Sequence, residues 1–150
     1  MTQRKNEDPF QLERFVEAQQ GVYDTALSEL KSGRKRSHWM WFIFPQIDGL
    51  ARSSTASYFA IRSIDEAKAY LEHPVLGSRL QECTRMLLGL NQTSASDVFG
   101  YPDDLKFCSS MTLFDHAAPD NDLFEAAIIR YCAGERDQKT SAILGGKKPR

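Results

Sequence analysis

The sequence predicts an all-α chain, a single multi-helix domain with room for at most a minor strand pair, and three observations predict it. Apolar residues recur at spacings of three and four over most of the chain. Capping residues such as Asp8, Ser63 and Asp137 precede these runs, and Gly33, Gly100 and Gly134 close them. Strand-like alternation is rare. A chain of 150 residues suits one domain built on one core. Residues 1–8 read as a flexible N-terminus, 9–144 as the domain, and 145–150 as a flexible C-terminal tail.

The first helix is predicted over 9–31. Asp8 caps it, Pro9 suits its first turn, and Phe15, Gln19, Val22, Ala26 and Leu30 keep helical spacing up to Gly33. The run 38–44 is apolar on every face in either period, so it is buried on more than one side. Ser37 as N-cap favours a short helix ending before Pro45. A loop through Asp48 and Gly49 leads to a short helix near 53–59. Ser63 and Glu66 form a capping box for a helix over 64–72, which ends at His73 and Pro74. Val75, Leu76, Leu80, Cys83, Leu87 and Leu90 mark a helix over 75–90. A turn or two of helix is expected over 94–99, then a helix over 103–113. Asp120 caps a helix near 121–133, and Asp137 opens a last one to Leu144.

Bulk composition narrows the function classes. The formal net charge is -1, so no global field draws the chain to nucleic acid or to an anionic membrane. No apolar run approaches the roughly 18 residues of a membrane helix, and the polar start has no signal-peptide core. Cys83, Cys108 and Cys132 are odd in number and lack CxxC spacing; they read as small core residues of a reduced, cytoplasmic protein. The histidines lie far apart, with no metal-binding spacing, so neither a metal nor a cofactor is expected. Oligomeric state is left open.

Chemistry concentrates in two places. Arg34, Lys35 and Arg36 run into Ser37 and His38, just before Trp39 and Trp41. A helix starting at Ser37 would turn free N–H groups toward an anion. Arg36 would fork onto phosphate oxygens, and Trp39 or Trp41 would stack on a base. His38 is the candidate general acid/base, with Gln46 at the far end of the run. The plainer reading is a solvated basic loop before a core segment, with His38 at the core edge. Burying six large apolar side chains is worth on the order of 1.5–3 kcal/mol each, enough to dominate a small core. The second place is Lys106 with Ser109, Ser110 and Thr112. Lysine and serine share a helical face there, fit for holding an anion; the plainer reading is hydroxyls that satisfy backbone groups.

The run 37–46 (SHWMWFIFPQ) resembles the signature of the bacterial family of unknown function 1810. The resemblance continues through Glu66 and Ala67, His73 to Gly77, Arg79 and Leu80, then Phe99, Gly100, Asp104, Lys106 and Ser109 to Phe114. It covers roughly residues 10 to 144. One departure is Ala51, where the family pattern has glycine. The resemblance implies a mainly helical single domain and no activity. Some members carry a calpastatin label; inhibitors of that kind are polar and disordered, and the strong core pattern here gives the label no support.

Three functions fit these residues. One is a small enzyme acting on a phosphate- or nucleotide-containing molecule, with His38 and Lys106 catalytic and Arg36, Ser37, Trp39, Trp41, Gln46, Ser109, Ser110 and Thr112 binding substrate. Another is a module that binds such a ligand without turnover. The third is a protein-interaction domain presenting residues 39–44.

Overall fold

The computed structural model describes residues 8–50, 53–91 and 94–145. The chain is all-α. Its helices are α1 Glu13–Gln19, α2 Tyr23–Lys31, α3 Met40–Ile43, α4 Ser54–Phe59, α5 Ile64–Glu72, α6 Leu76–Leu88, α7 Ala95–Phe99, α8 Asp103–Ala117, α9 Asp122–Tyr131 and α10 Gln138–Ile143. Among the described residues there is no sheet; the expected strand pair reduces to a single parallel bridge between Ile47 and Ile61. No helix among them is long and apolar enough to cross a membrane. Ala51 and nearly all of both expected flexible ends lie outside the described residues.

The predicted helix over 9–31 is two helices. Gly21 takes a left-handed φ of 73° and breaks it, a conformation that costs glycine nothing. The start also moves inward. Gln11 has φ 56°, and the Asp8 carboxylate accepts from the N–H groups of Leu12 and Glu13 at 2.8 and 3.1 Å. Asp8 therefore caps, but from five residues ahead of Glu13, where α1 begins. Elsewhere the capping chemistry acts where the residues suggest. Ser63 accepts from Glu66 N, Ser94 from Asp97 N and Asp137 from Thr140 N. Asn121, one residue beyond the expected Asp120, caps α9.

α8 lies at the centre, packed against α3, α5, α7, α9 and α10. Residues from Phe107 to Phe114, apart from Cys108, are buried on every side, apolar and hydroxyl alike. That is why its period gave too short a helix: neighbours cover the whole circumference, so no polar face marks the end, which comes at Ala117. His116, expected in a loop, is in its last turn and 3.3 Å from Ser141 Oγ. Aromatic rings join the helices. Phe44 meets Phe99 and Phe107 edge-on at 5.8 and 5.1 Å, and Phe15 meets Tyr70 at 5.1 Å.

One buried charge pair ties the first half together. Arg14 Nη2 is 2.8 Å from Glu66 Oε2, with both side chains almost fully buried. The rest of the guanidinium donates to the carbonyls of Phe10, Gln11, Tyr58 and Ala60. Glu66 Oε1 accepts from Arg62 N. A buried pair is tolerable when its remaining hydrogen-bonding groups are satisfied in this way.

At the α5–α6 junction clearance vanishes. A Cβ built on Gly77 would lie 2.0 Å from the backbone oxygen of Leu71, an atom that cannot swing aside. Gly77→Ala is expected to destabilise the fold by about 3 kcal/mol or more, as overpacking against rigid backbone does. Urea unfolding of the variant against the parent checks this, and an unchanged midpoint would contradict the packing described.

Candidate functional site

The basic approach and the aromatic run are organised by a residue from α2. Glu29 turns its carboxylate toward the loop after Gly33. Its Oε1 accepts from Arg36 N at 2.8 Å, Ser37 N at 3.0 Å and Trp39 Nε1 at 2.9 Å, while Ser37 Oγ donates to Oε2. An anion cradle does form here, in the loop before α3 rather than at the helix start expected at Ser37, and the protein fills it with its own carboxylate. Burial alone would push the Glu29 pKa up; the donations from Ser37, Arg36 N and Trp39 outweigh it and hold the pKa down to about 2.

This corrects several expectations. Ser37 is not an N-cap and does not offer its hydroxyl to a ligand; α3 starts later, at Met40, behind Trp39. Trp39 is fully buried, so it neither stacks on a base nor faces a partner. Arg36 and His38 are exposed beside the cradle. Trp41 is half-buried, with Lys106 Nζ 5.1 Å from its ring centroid. Lys35 sits over Trp39 at the same distance. Asp103 bridges the two cations, 2.7 Å from Lys35 Nζ and 3.4 Å from Lys106 Nζ.

Beside this cluster an open groove of about 910 Å³ runs between α8 and residues 131–139. Gln46, Lys106 and Ser109 line it, together with Asp104, Leu105 and Arg136. Ser109 Oγ also donates to Leu105 O at 3.0 Å. Asp104 Oδ1 is buried and has no hydrogen-bond partner among the described residues. Arg136 Nε reaches Asp115 Oδ2 at 2.7 Å, and its Nη2 stands 3.5 Å from Glu125 Oε2, an ion-pair distance without hydrogen-bond geometry.

The groove gathers part of the predicted site and leaves part behind. His38, Arg36 and Ser37 are not among its lining residues. Ser110 is fully buried in the core, out of reach of any ligand. Thr112 is committed to structure: its hydroxyl donates to Cys108 O at 2.8 Å and accepts from Asp137 N at 2.9 Å. The cysteines require the largest correction. Cys108 and Cys132 form a disulfide between α8 and the end of α9, partly exposed along the groove; only Cys83 is a free, buried thiol, which burial pushes up to about 12. Separation by 24 residues leaves no spacing motif to read. Asp104, in the first turn of α8, reads from sequence as a helix-start carboxylate, and Arg136 joins the groove through tertiary contact. Glu29 had one faint signal, a carboxylate one helical turn before a stopping glycine and a cationic loop. Among the described residues, no group of three or more His, Cys, Asp or Glu side chains is placed to hold a metal ion.

The family model described as a protein of unknown function, DUF1810, matches residues 9–144. The chain belongs to the DUF1810 family. A solved structure, that of the conserved hypothetical protein Rv1873 from Mycobacterium tuberculosis, is similar to this DUF1810 chain with a TM-score of 0.90 and 49% identity, covering 93% of this chain and 100% of that one. No curated protein matches.

The Glu29 cradle makes a pH prediction. Its folded pKa of about 2 lies below the ordinary 4.5, so the cradle adds stability that is full above 4.5 and is lost as pH falls toward 2. Glu29→Gln is expected to cost about 2 kcal/mol at pH 7, since it replaces charged acceptors with a neutral amide. Urea unfolding of both proteins across that pH range should show the difference shrinking as acid is added. A constant difference would remove the ionised cradle.

Proposed function

We propose that the chain binds a phosphate-bearing small molecule, of the sugar-phosphate or nucleotide kind, in the groove between α8 and residues 131–139. The observation that carries this is the convergence of Gln46, Lys106 and Ser109 on one groove with Asp104, whose buried Oδ1 lacks a protein partner. Such a ligand matches both features. Its phosphate suits the Lys106 ammonium, which Trp41 and Asp103 hold in place. Its hydroxyl groups would donate to the Asp104 carboxylate once a turn of that side chain brings the buried Oδ1 to the groove, and Gln46 and Ser109 supply further polar contacts. The exposed Leu105 gives the ligand an apolar edge to rest on.

The reading is one of binding rather than turnover. His38, the residue suited to proton transfer, does not line the groove, and no other histidine lines it. A partner surface over residues 39–44 has less support, because Trp39, Met40, Ile43 and Phe44 are buried and Lys106 covers a face of Trp41. The setting we infer is a bacterial cytoplasm, where phosphorylated metabolites are available.

Ribose 5-phosphate, with inorganic phosphate as the control, is the probe of choice for calorimetric titration. Lys106→Gln is expected to weaken ribose 5-phosphate binding about tenfold, the loss of one charge-assisted hydrogen bond. Asp103 keeps Lys35 in that variant, so no carboxylate is orphaned. His38→Ala should leave the affinity unchanged. Equal affinity in the parent and Lys106→Gln proteins would overturn the groove as the phosphate site.

A further inference from the structure

We propose that the Cys108–Cys132 disulfide is a redox latch on the groove: oxidised, it holds the wall formed by residues 132–137 against α8, and reduced, it releases that wall and weakens ligand binding. The effect on binding rests on the groove being the ligand site, as proposed above; the latch itself does not.

The wall is fastened along one stripe of α8. Cys108, Thr112 and Asp115 are spaced by four and three residues, hence on one helical face. Each ties a different residue of the wall. Cys108 bonds Cys132, Thr112 Oγ1 accepts from Asp137 N at 2.9 Å, and Asp115 pairs with Arg136 at 2.7 Å. Between the first tie and the other two the chain turns through Ala133 at φ 55° and Gly134 at φ 76°. A left-handed alanine is unfavourable and persists only where its surroundings hold it. The covalent tie sits on the residue before it. Two backbone bonds also close this turn, from Gly134 N to Ile128 O at 3.1 Å and from Glu135 N to Cys132 O at 3.0 Å; with the covalent tie cut, the left-handed Ala133 rests on these alone, and the wall carrying Glu135, Arg136 and Asp137 loosens.

The cystine lies at the groove. Both cysteines are partly exposed and line the groove, unlike buried Cys83. The reductant is a dithiol. One of its thiolates attacks a cystine sulfur, the S–S bond breaks, and a mixed disulfide forms. Its second thiolate then displaces the cysteine and closes the reductant's own disulfide. Two electrons pass to the cystine, and the dithiol's two protons end on Cys108 and Cys132. In a reducing compartment disulfides are rare, and those that do form are typically transient and redox-sensing.

The test compares air-oxidised protein, phosphine-reduced protein and the Cys108→Ser, Cys132→Ser double variant. Thiol titration in denaturant should find a single thiol in the oxidised form and three after reduction. Hydrogen exchange at the Asp137 amide, which Thr112 holds, should quicken about tenfold or more on reduction while the helical circular dichroism is kept. If the reduced wall is formed about a tenth of the time, the apparent Kd for ribose 5-phosphate rises about tenfold. The double variant should follow the reduced protein; if it fails to fold, phosphine-reduced parent protein carries the comparison alone. Three thiols in the oxidised form, or equal Asp137 exchange in both forms, would overturn the latch. Loss of all helical signal on reduction would also overturn it, by making the disulfide a general staple. Redox-dependent exchange with no ribose 5-phosphate binding in either form would support the latch and overturn the ligand reading.

Discussion

Glu29 places the aromatic segment, and the site depends on that placement. The carboxylate takes two backbone amides, a hydroxyl and an indole N–H from three residues, Arg36, Ser37 and Trp39. An ionised acceptor strengthens each of these bonds relative to a neutral one. With Trp39 held by its nitrogen, its ring is sealed in the core and the next residues must follow. Phe44 reaches the Phe99 and Phe107 rings, Trp41 comes beneath Lys106, and Gln46 arrives at the groove. A helix that makes no contact with the groove thus sets the position of one of its edges.

α8 plays the complementary part. It is the element that other helices surround, and it also faces the groove with Asp104, Leu105, Lys106, Cys108 and Ser109. Its first turns serve the site, and its later turns, from Ser110 to Asp115, serve the core. The division explains why adjacent hydroxyls have unlike fates. Ser109 reaches the groove, Ser110 is sealed in the core, and Thr112 is committed to bonds with Cys108 and Asp137. Helical rotation of about 100° per residue is enough to part them.

Much of the fold was legible because its signals are local. Ser63 capping Glu66, Ser94 capping Asp97 and Gly33 closing α2 each act within a few residues. The failures share a cause as well. Gly21 was read through because the apolar spacing continues across it, although its backbone takes the left-handed turn. α8 ran past its expected end because burial all round removes the polar stripe that marks a boundary. In the site, the residue types were informative and the pairings were not. The loop before α3 does bind a carboxylate, through backbone amides, a hydroxyl and an indole rather than through its cations, and composition could not say that the carboxylate would be Glu29. Lys106 and Ser109 share a face as spacing implied, whereas Arg136 and the Cys108–Cys132 bond depend on how α9 and the chain after it pack on α8.

The chain carries two tryptophans, both in the segment that Glu29 anchors. Two residues apart, each has a lysine ammonium 5.1 Å from its ring centroid, yet they differ in exposure. Trp39 is shut away from water, its nitrogen on a carboxylate, and Trp41 is half-open with an ammonium over its face. Indole emission follows local polarity and nearby charge, so the protein has a built-in pair of fluorophores with separate duties. The sealed one registers whether the interior is intact, and the open one registers events at the edge of the groove beside Lys106. A single emission spectrum therefore mixes two signals, and replacing either indole with phenylalanine would divide it into a gauge of folding and a gauge of occupancy.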